Sequence, residues 1–271
     1  MPKPFATRFR IEPGKRAHLG RRDPADLNAF PDRDAAEKQS VKDGEAIDKL
    51  QDRLFAEGKR AVLVVLQGTD TAGKDGTIKH VFKETGQLGV TVTPFKRPSE
   101  EDLAHDFLWR AHLATPRRGF IGIFNRSHYE DVLIGRVRKL APKEEIKKRY
   151  DQINAFEKIL SENGTRILKF MLHISKKEQR ERLQARLDEP QSRWKFNPSD
   201  LDDRKLWDKF QAAYELMLDK CSTEWAPWYV IPADHKWARN AAIAAIVREA
   251  LEEMNPQYPK PDWDPKSFVV K

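Results

Sequence analysis

Ten consecutive residues, Gly68-Thr69-Asp70-Thr71-Ala72-Gly73-Lys74-Asp75-Gly76-Thr77, combine the three things needed to hold a phosphate. The glycines let the backbone turn so that successive N–H groups point at one anion, and the helix that follows offers its positive end. Lys74 adds a full charge. The spacing satisfies the Gly-x-x-x-x-Gly-Lys part of the Walker A pattern, which makes Gly68, Thr71, Ala72, Gly73, Lys74, Asp75, Gly76 and Thr77 candidate phosphate-binding residues. Two departures carry information. Asp75 stands where a hydroxyl usually reaches magnesium, and Asp70 places a carboxylate beside a polyanion, which is repulsive unless a cation intervenes. A magnesium ion, or manganese in its place, is the simplest such cation, with Asp70 as a ligand.

Other polar clusters fall where they could serve the same centre. Asn125-Arg126-Ser127-His128-Tyr129-Glu130-Asp131 follows the apolar run Gly119–Phe124, and Arg126 is the natural phosphate clamp. The alternative is a polar turn that Ser127 or Asp131 caps. Lys96 and Arg97 follow the run Gly89–Phe95 and are further phosphate-binding candidates, while Ser99 reads as a helix cap. Arg182 and Arg186 lie four apart, on one face of a helix, and Arg193 and Lys195 flank Trp194 beyond the break at Pro190. Together these cations suggest a basic lid from about 182 to 205. An ordinary solvated helix face stays open, because Glu178, Glu181 and Glu189 interleave with them. No hydroxyl or thiol nucleophile with a local base is evident, and in-line phosphoryl transfer needs none.

Positioning these groups requires a sheet with helices around it. Apolar runs at Ala61–Leu66, Gly89–Phe95, Gly119–Phe124, Arg166–Leu172 and Trp228–Ile231 alternate with helix-length segments at about 35–58, 77–85, 100–113, 143–162, 176–187, 198–220 and 236–254. That alternation predicts an α/β fold with a parallel sheet covered on both faces. Ligands of such sheets bind beyond the carboxyl ends of the strands, which is where the polar clusters lie. Residues 1–35, rich in Pro, Arg and Asp, read as an extended arm, 36–254 as the principal domain, and 255–271 as a surface tail.

Composition narrows the partners. The chain has 271 residues, 50 basic and 42 acidic, for a net charge of +8. That surplus favours an anionic partner. One cysteine, Cys221, cannot form an internal disulfide, and with no apolar leader or membrane-length run this reads as a cytoplasmic chain.

Four motifs in order resemble the polyphosphate kinase 2 family: Gly68–Ile78, Phe124–Tyr129, Trp194-Lys195, and Ser222–Trp228 with Ile231–Lys236. The similarity runs from about Gly44 to Met254. It implies a three-layer α/β/α P-loop kinase fold with a helical lid, magnesium dependence, homodimers or homotetramers, and reversible transfer of the terminal phosphoryl group between inorganic polyphosphate and a nucleotide. It implies catalytic roles for Asp70, Lys74 and Arg126, and for Arg186 as a lid arginine. Asn125 departs from the Asp common at that place, where it would serve as a catalytic and metal-binding position. With His128, Glu130 and Asp131 it resembles the subgroup that accepts both AMP and ADP. Adenine nucleotides are the expected acceptors, with guanine nucleotides open.

Three rivals remain at this level. An ATP-dependent nucleoside-monophosphate kinase would share the loop, sheet and lid, but the basic surplus suits a longer polyanion. A nucleic-acid-binding protein would use the charge and leave the loop unexplained. A polyphosphate-binding protein without catalysis sits poorly with Asp70, Lys74 and Arg126 together.

Overall fold

The computed structural model describes residues 5–86, 88–264, 267, 268 and 270. Parts of the predicted arm (1–4) and tail (265, 266, 269 and 271) therefore lie outside the described residues. The chain runs through α1 (Arg33–Glu57), β1 (Ala61–Gln67), α2 (Lys74–Val81), β2 (Val90–Pro94), α3 (Glu100–Ala104), α4 (Trp109–Leu113), β3 (Ile121–Asn125), α5 (Ile134–Val137) and α6 (Lys143–Glu162). It continues through β4 (Thr165–His173), α7 (Lys176–Asp188), α8 (Ser199–Lys205), α9 (Trp207–Cys221), β5 (Trp228–Pro232) and α10 (Lys236–Met254).

The five strands form one parallel sheet in the order β2-β3-β1-β4-β5. β1 is central and every residue in it is buried, as its unbroken Ala-Val-Leu-Val-Val-Leu run requires of a strand covered on both faces. Its side chains alternate between two cores. Leu63 and Val65 pack with residues of α6 and α9, whereas Val62, Val64 and Leu66 pack with residues of α1 and α10. This gives the predicted three layers.

Local signals set the element ends. Asp32 accepts the Ala35 N–H at 2.8 Å to open α1, and Gly58 closes it in the left-handed conformation. Ser99 and Asp102 form a reciprocal capping box on α3. Two predicted helices are divided. The 100–113 segment breaks at His105, which is extended, and the Asp106 carboxylate takes the Leu108 N–H at 2.9 Å, so that side chain competes with the helix for a donor. The 198–220 segment breaks at Leu206 between α8 and α9. The loop helix α2 also starts earlier than the predicted 77–85, at Lys74 itself.

The N-terminal arm is tied down, and it is not extended throughout, since it turns into short 3-10 helices at Phe5–Arg8 and Leu19–Arg21. Phe9 and Ile11 are buried, Ile11 N–H donates to Trp228 O at 2.8 Å, and Val230 N–H donates to Phe9 O at 2.9 Å. The arm thus lies along the outer edge of β5.

Candidate active site

Carboxyl ends of β1 and β3 are adjacent, with Leu66 beside Asn125 in the register. The chain leaves β1 into the glycine-rich loop and leaves β3 into the Arg126 turn, so the pairing of two strands brings the two motifs together. In the loop, Gly73 is the N-cap of α2 at φ 103°, a region glycine enters freely. A Cβ there would also stand 2.0 Å from Nη1 of Arg239. Two residues without that freedom, Thr71 (φ 64°) and Arg126 (φ 61°), are held in the left-handed region at about 1–2 kcal/mol each. Arg126 is fixed there by its N–H on Leu66 O at 3.1 Å, and such strain is commonly found at functional turns.

Lys74 is buried and curls back so that Nζ donates to Gly68 O at 2.8 Å and Thr69 O at 3.3 Å. Burial and neighbouring Arg126 push its pKa down to about 8, against the pull of Asp70, Glu130 and Asp75. Arg126 Nη2 donates to Asp70 Oδ1 at 2.5 Å, and its Nη1 lies 3.8 Å from Glu130. Burial pushes the Glu130 carboxyl up, and Arg126 and Lys74 oppose it. Asn125 Nδ2 donates to Asp75 Oδ1 at 2.6 Å, so the two positions that depart from the usual pattern touch each other.

A cleft of about 600 Å³ opens over these groups. Its floor is the loop from Asp70 to Gly76, with Asn125 and Arg126 on one side and Lys96 beside β2. Its far wall is the segment from α7 to α8, presenting Arg186, Lys195 and Asp200. Arg186 Nη1 donates to Lys195 O at 3.1 Å and to Asp200 Oδ2 at 3.4 Å. Burial and Asp70 raise Asp200 to about 6, with Arg186 and Arg126 opposing. This wall is tied down by Arg138 on Asp203 and by Arg204 on Lys176 O and Gln179 Oε1.

Three predicted phosphate contacts are placed otherwise. Arg182 is buried, and its guanidinium donates to Glu178, Thr71 O, Ala72 O, Ala233 O and Asp234 O. It lines the cleft, but in the free protein its donors are taken by Glu178 and by four carbonyls, so that it braces the loop against the end of β5. Arg193 donates to Leu187 O, is solvent-exposed and lies outside the cleft lining, although Ser192 and Lys195 of the same 3-10 turn at Pro190–Lys195 line it. Arg97 is likewise exposed and outside the lining. Within the loop, Ala72 and Thr77 are buried scaffold, and Thr77 Oγ1 donates to Asn240 at 3.4 Å. Gly68 borders a smaller cavity behind Asp70, with Trp207, Phe210 and Tyr214.

Sequence reading missed Lys236, Arg239 and Asp200, all of which line the cleft. The first two were within reach of the rule applied to the other strands: they lie on the first turn of α10, just past β5. Asp200 carried no such signal, since its place depends on how α8 folds over the loop.

The donor set fits magnesium. Asp70 and the Asn125 amide oxygen are hard oxygen donors beside the loop, and Mg²⁺ commonly takes one or two protein ligands and completes its shell with phosphate and water. Among the described residues no group of three or more His, Cys, Asp or Glu converges as a metal cage.

A parallel sheet with a phosphate loop after its central strand, and a cationic wall facing that loop, defines a P-loop phosphotransferase architecture. The Polyphosphate kinase 2 (PPK2) family model matches residues 31–259. The chain belongs to the polyphosphate kinase 2 family. It is 49% identical over 265 residues to the AMP/ADP-polyphosphate phosphotransferase of Meiothermus ruber, covering 97% of this chain and 99% of that one. It is 40% identical to the ADP-polyphosphate phosphotransferase of Rhodopseudomonas palustris, covering 93% and 91%. Among solved structures, the crystal structure of Polyphosphate Kinase 2 from Arthrobacter aurescens TC1 superposes with a TM-score of 0.94 at 40% identity, covering 98% of this chain and 95% of that one.

Proposed function

We propose that the protein transfers the terminal phosphoryl group of inorganic polyphosphate to AMP and to ADP, forming ADP and ATP, and runs in reverse under mass action. The observation that carries this reading is the convergence of Lys74, Asp70 and Arg126 on a cleft whose opposite wall supplies Arg186 and Lys195, with Lys236 at one end. A long polyanion needs cations along its length, and a compact donor does not. The near full-length likeness to a relative named for both acceptors supports the AMP and ADP assignment.

An oxygen of the acceptor's terminal phosphate attacks the terminal phosphorus of the donor. The P–O bond to the next phosphate breaks, and the shortened polyphosphate leaves with that oxygen. Lys74 and the loop backbone hold the phosphates, while Arg126 and Arg186 face the transferred group. Phosphate oxygens compete with Asp70 and Asp200 for these two guanidiniums, which the free protein keeps oriented by those carboxylates. Asp70 and Asn125 are the residues that would hold magnesium, or manganese, which when bound supplies charge neutralisation for the phosphate oxygens. A homodimer or homotetramer and a cytoplasmic site complete the reading. Cys221 is free and buried, and no helix among the described residues is long and apolar enough to cross a membrane.

The test is incubation with magnesium, polyphosphate and AMP or ADP in the absence of ATP, following nucleotide products. ADP from AMP and ATP from ADP are expected, and no product from either acceptor overturns the proposal. Asn125→Asp sharpens the acceptor assignment. A carboxylate there would face Asp75 at the 2.6 Å contact and repel an incoming phosphate. The ratio of kcat/KM for AMP to that for ADP is expected to fall about tenfold, the effect of roughly 1.4 kcal/mol. An unchanged ratio removes Asn125 from the explanation.

A further inference from the structure

Arg239 is the one cleft-lining arginine whose guanidinium has no carboxylate partner among the described residues. Arg126 has Asp70 and Glu130, Arg182 has Glu178, and Arg186 has Asp200. Arg239 instead donates from Nη1 to Ala72 O at 2.9 Å, and from Nε and Nη2 to the neutral Asn240 Oδ1 at 3.0 and 2.8 Å. It is 2% exposed. Burial and the nearby Arg182 both act against its charge, pushing its pKa down to about 9. A buried cation with only neutral acceptors is costly to a fold, because hydrogen bonds replace part of its hydration and none of its counter-charge.

Its place explains why a chain would keep it. A Cβ on Gly73 would meet Nη1 at 2.0 Å, and one on Gly76 would stand 3.6 Å from Nη2. The guanidinium therefore lies directly under the phosphate loop, at the N-terminal end of α2 where the peptide dipoles also present positive charge. Resting on the proposed function, we infer that Arg239 is a buried counter-charge to the phosphate held in the loop. It lines the cleft beside the loop backbone, in surroundings of low dielectric where a cation works over a longer range than on the surface.

Asn240→Asp tests this with little change of shape. The substitution gives Arg239 its own carboxylate in the position of the amide oxygen it already binds. The free protein is expected to melt several degrees higher, while its Kd for polyphosphate of defined length, measured by calorimetry at fixed salt, rises tenfold or more. Arg239→Gln, which removes the charge and keeps a donor, is expected to weaken binding to a similar degree. Unchanged polyphosphate affinity in either variant overturns the inference. So does a lower melting temperature in Asn240→Asp, since the cation would then have needed no partner. If Arg239→Gln does not fold, the aspartate variant decides alone. A parent protein that binds no polyphosphate overturns the proposed function, and this inference with it; normal binding by the parent with normal binding by Asn240→Asp overturns the inference only.

Discussion

Replacing Lys74 with alanine is expected to lower kcat by about 10²–10³-fold, the range for losing one preorganised group that stabilises developing charge. Nζ sits inside the loop on Gly68 O and Thr69 O, with Arg126 and Asp70 close enough to influence its charge. Among the described residues no other lysine lies in the floor of the cleft; Lys96, Lys195 and Lys236 line it elsewhere. The same residue gives the enzyme a pH signature. Its proton leaves near pH 8 in the folded protein, against an ordinary value of 10.5. Raising the pH through 8 therefore removes the charge, and kcat/KM, which reports the free enzyme, is expected to fall about tenfold per unit above that point. The parent profile should show this limb and the alanine variant should lack it. The folded state also binds that proton less tightly than the unfolded chain, so Lys74 opposes folding below about pH 8, and the opposition fades between 8 and 10.5. The alanine variant should melt no lower than the parent at pH 7. A large drop in melting temperature would mean that Lys74 is structural and that its kinetic effect is indirect.

Lys169→Met is expected to be the most destabilising single change, by about 3–5 kcal/mol, through a pair the catalytic reading does not use. Lys169 and Glu157 are both fully buried, on β4 and α6. Nζ donates to Glu157 Oε2 at 2.5 Å, to Tyr129 OH at 2.8 Å and to Cys221 O at 2.7 Å, while Tyr129 OH donates to Glu157 Oε1 at 2.8 Å. Burial works to raise the Glu157 pKa, yet Lys169 and His128 outweigh it and hold the carboxyl below its ordinary value. Removing Lys169 strands that charge in the core. Urea titration of the variant checks the figure, and its melting temperature should fall by roughly 10 °C for a chain of this size. Adding Glu157→Gln should recover more than half of the loss, because the orphaned charge goes too. If the double variant is as unstable as the single one, the cost is lost packing and not an unpaired charge. The cluster closes on Tyr129, three residues beyond Arg126, so it also anchors the turn that carries the clamp.

These two lysines show what a sequence discloses. Lys74 was legible because glycine spacing, the apolar run before it and the helical pattern after it leave the chain few other conformations. The strand runs were legible for the same reason, as a parallel strand covered on both faces has little room for polar residues. Lys169 interrupts such a run, and nothing local announces that Glu157, twelve residues earlier, will meet it across the α6 and β4 packing. Arg182 misled because a cation beside a phosphate loop reads the same from sequence whether it faces the ligand or the backbone. Only the geometry reveals donors spent on four carbonyls. The breaks at His105 and Leu206 were hidden for a related reason: both segments have helical composition throughout, and the interruption is set by side-chain competition and tertiary position.

The arm along β5 has a consequence for solubility. An exposed edge of a parallel sheet is a template on which another chain can add a strand, and aggregation often begins there. Phe9 and Ile11 occupy that template on one side with two backbone hydrogen bonds. On the other side β2 is short, partly solvated and ends in Pro94, which cannot donate. Shortening the protein from its amino end past Ile11 would therefore leave the catalytic loop untouched and yet open the sheet to self-association, a hazard for any minimal version of this enzyme.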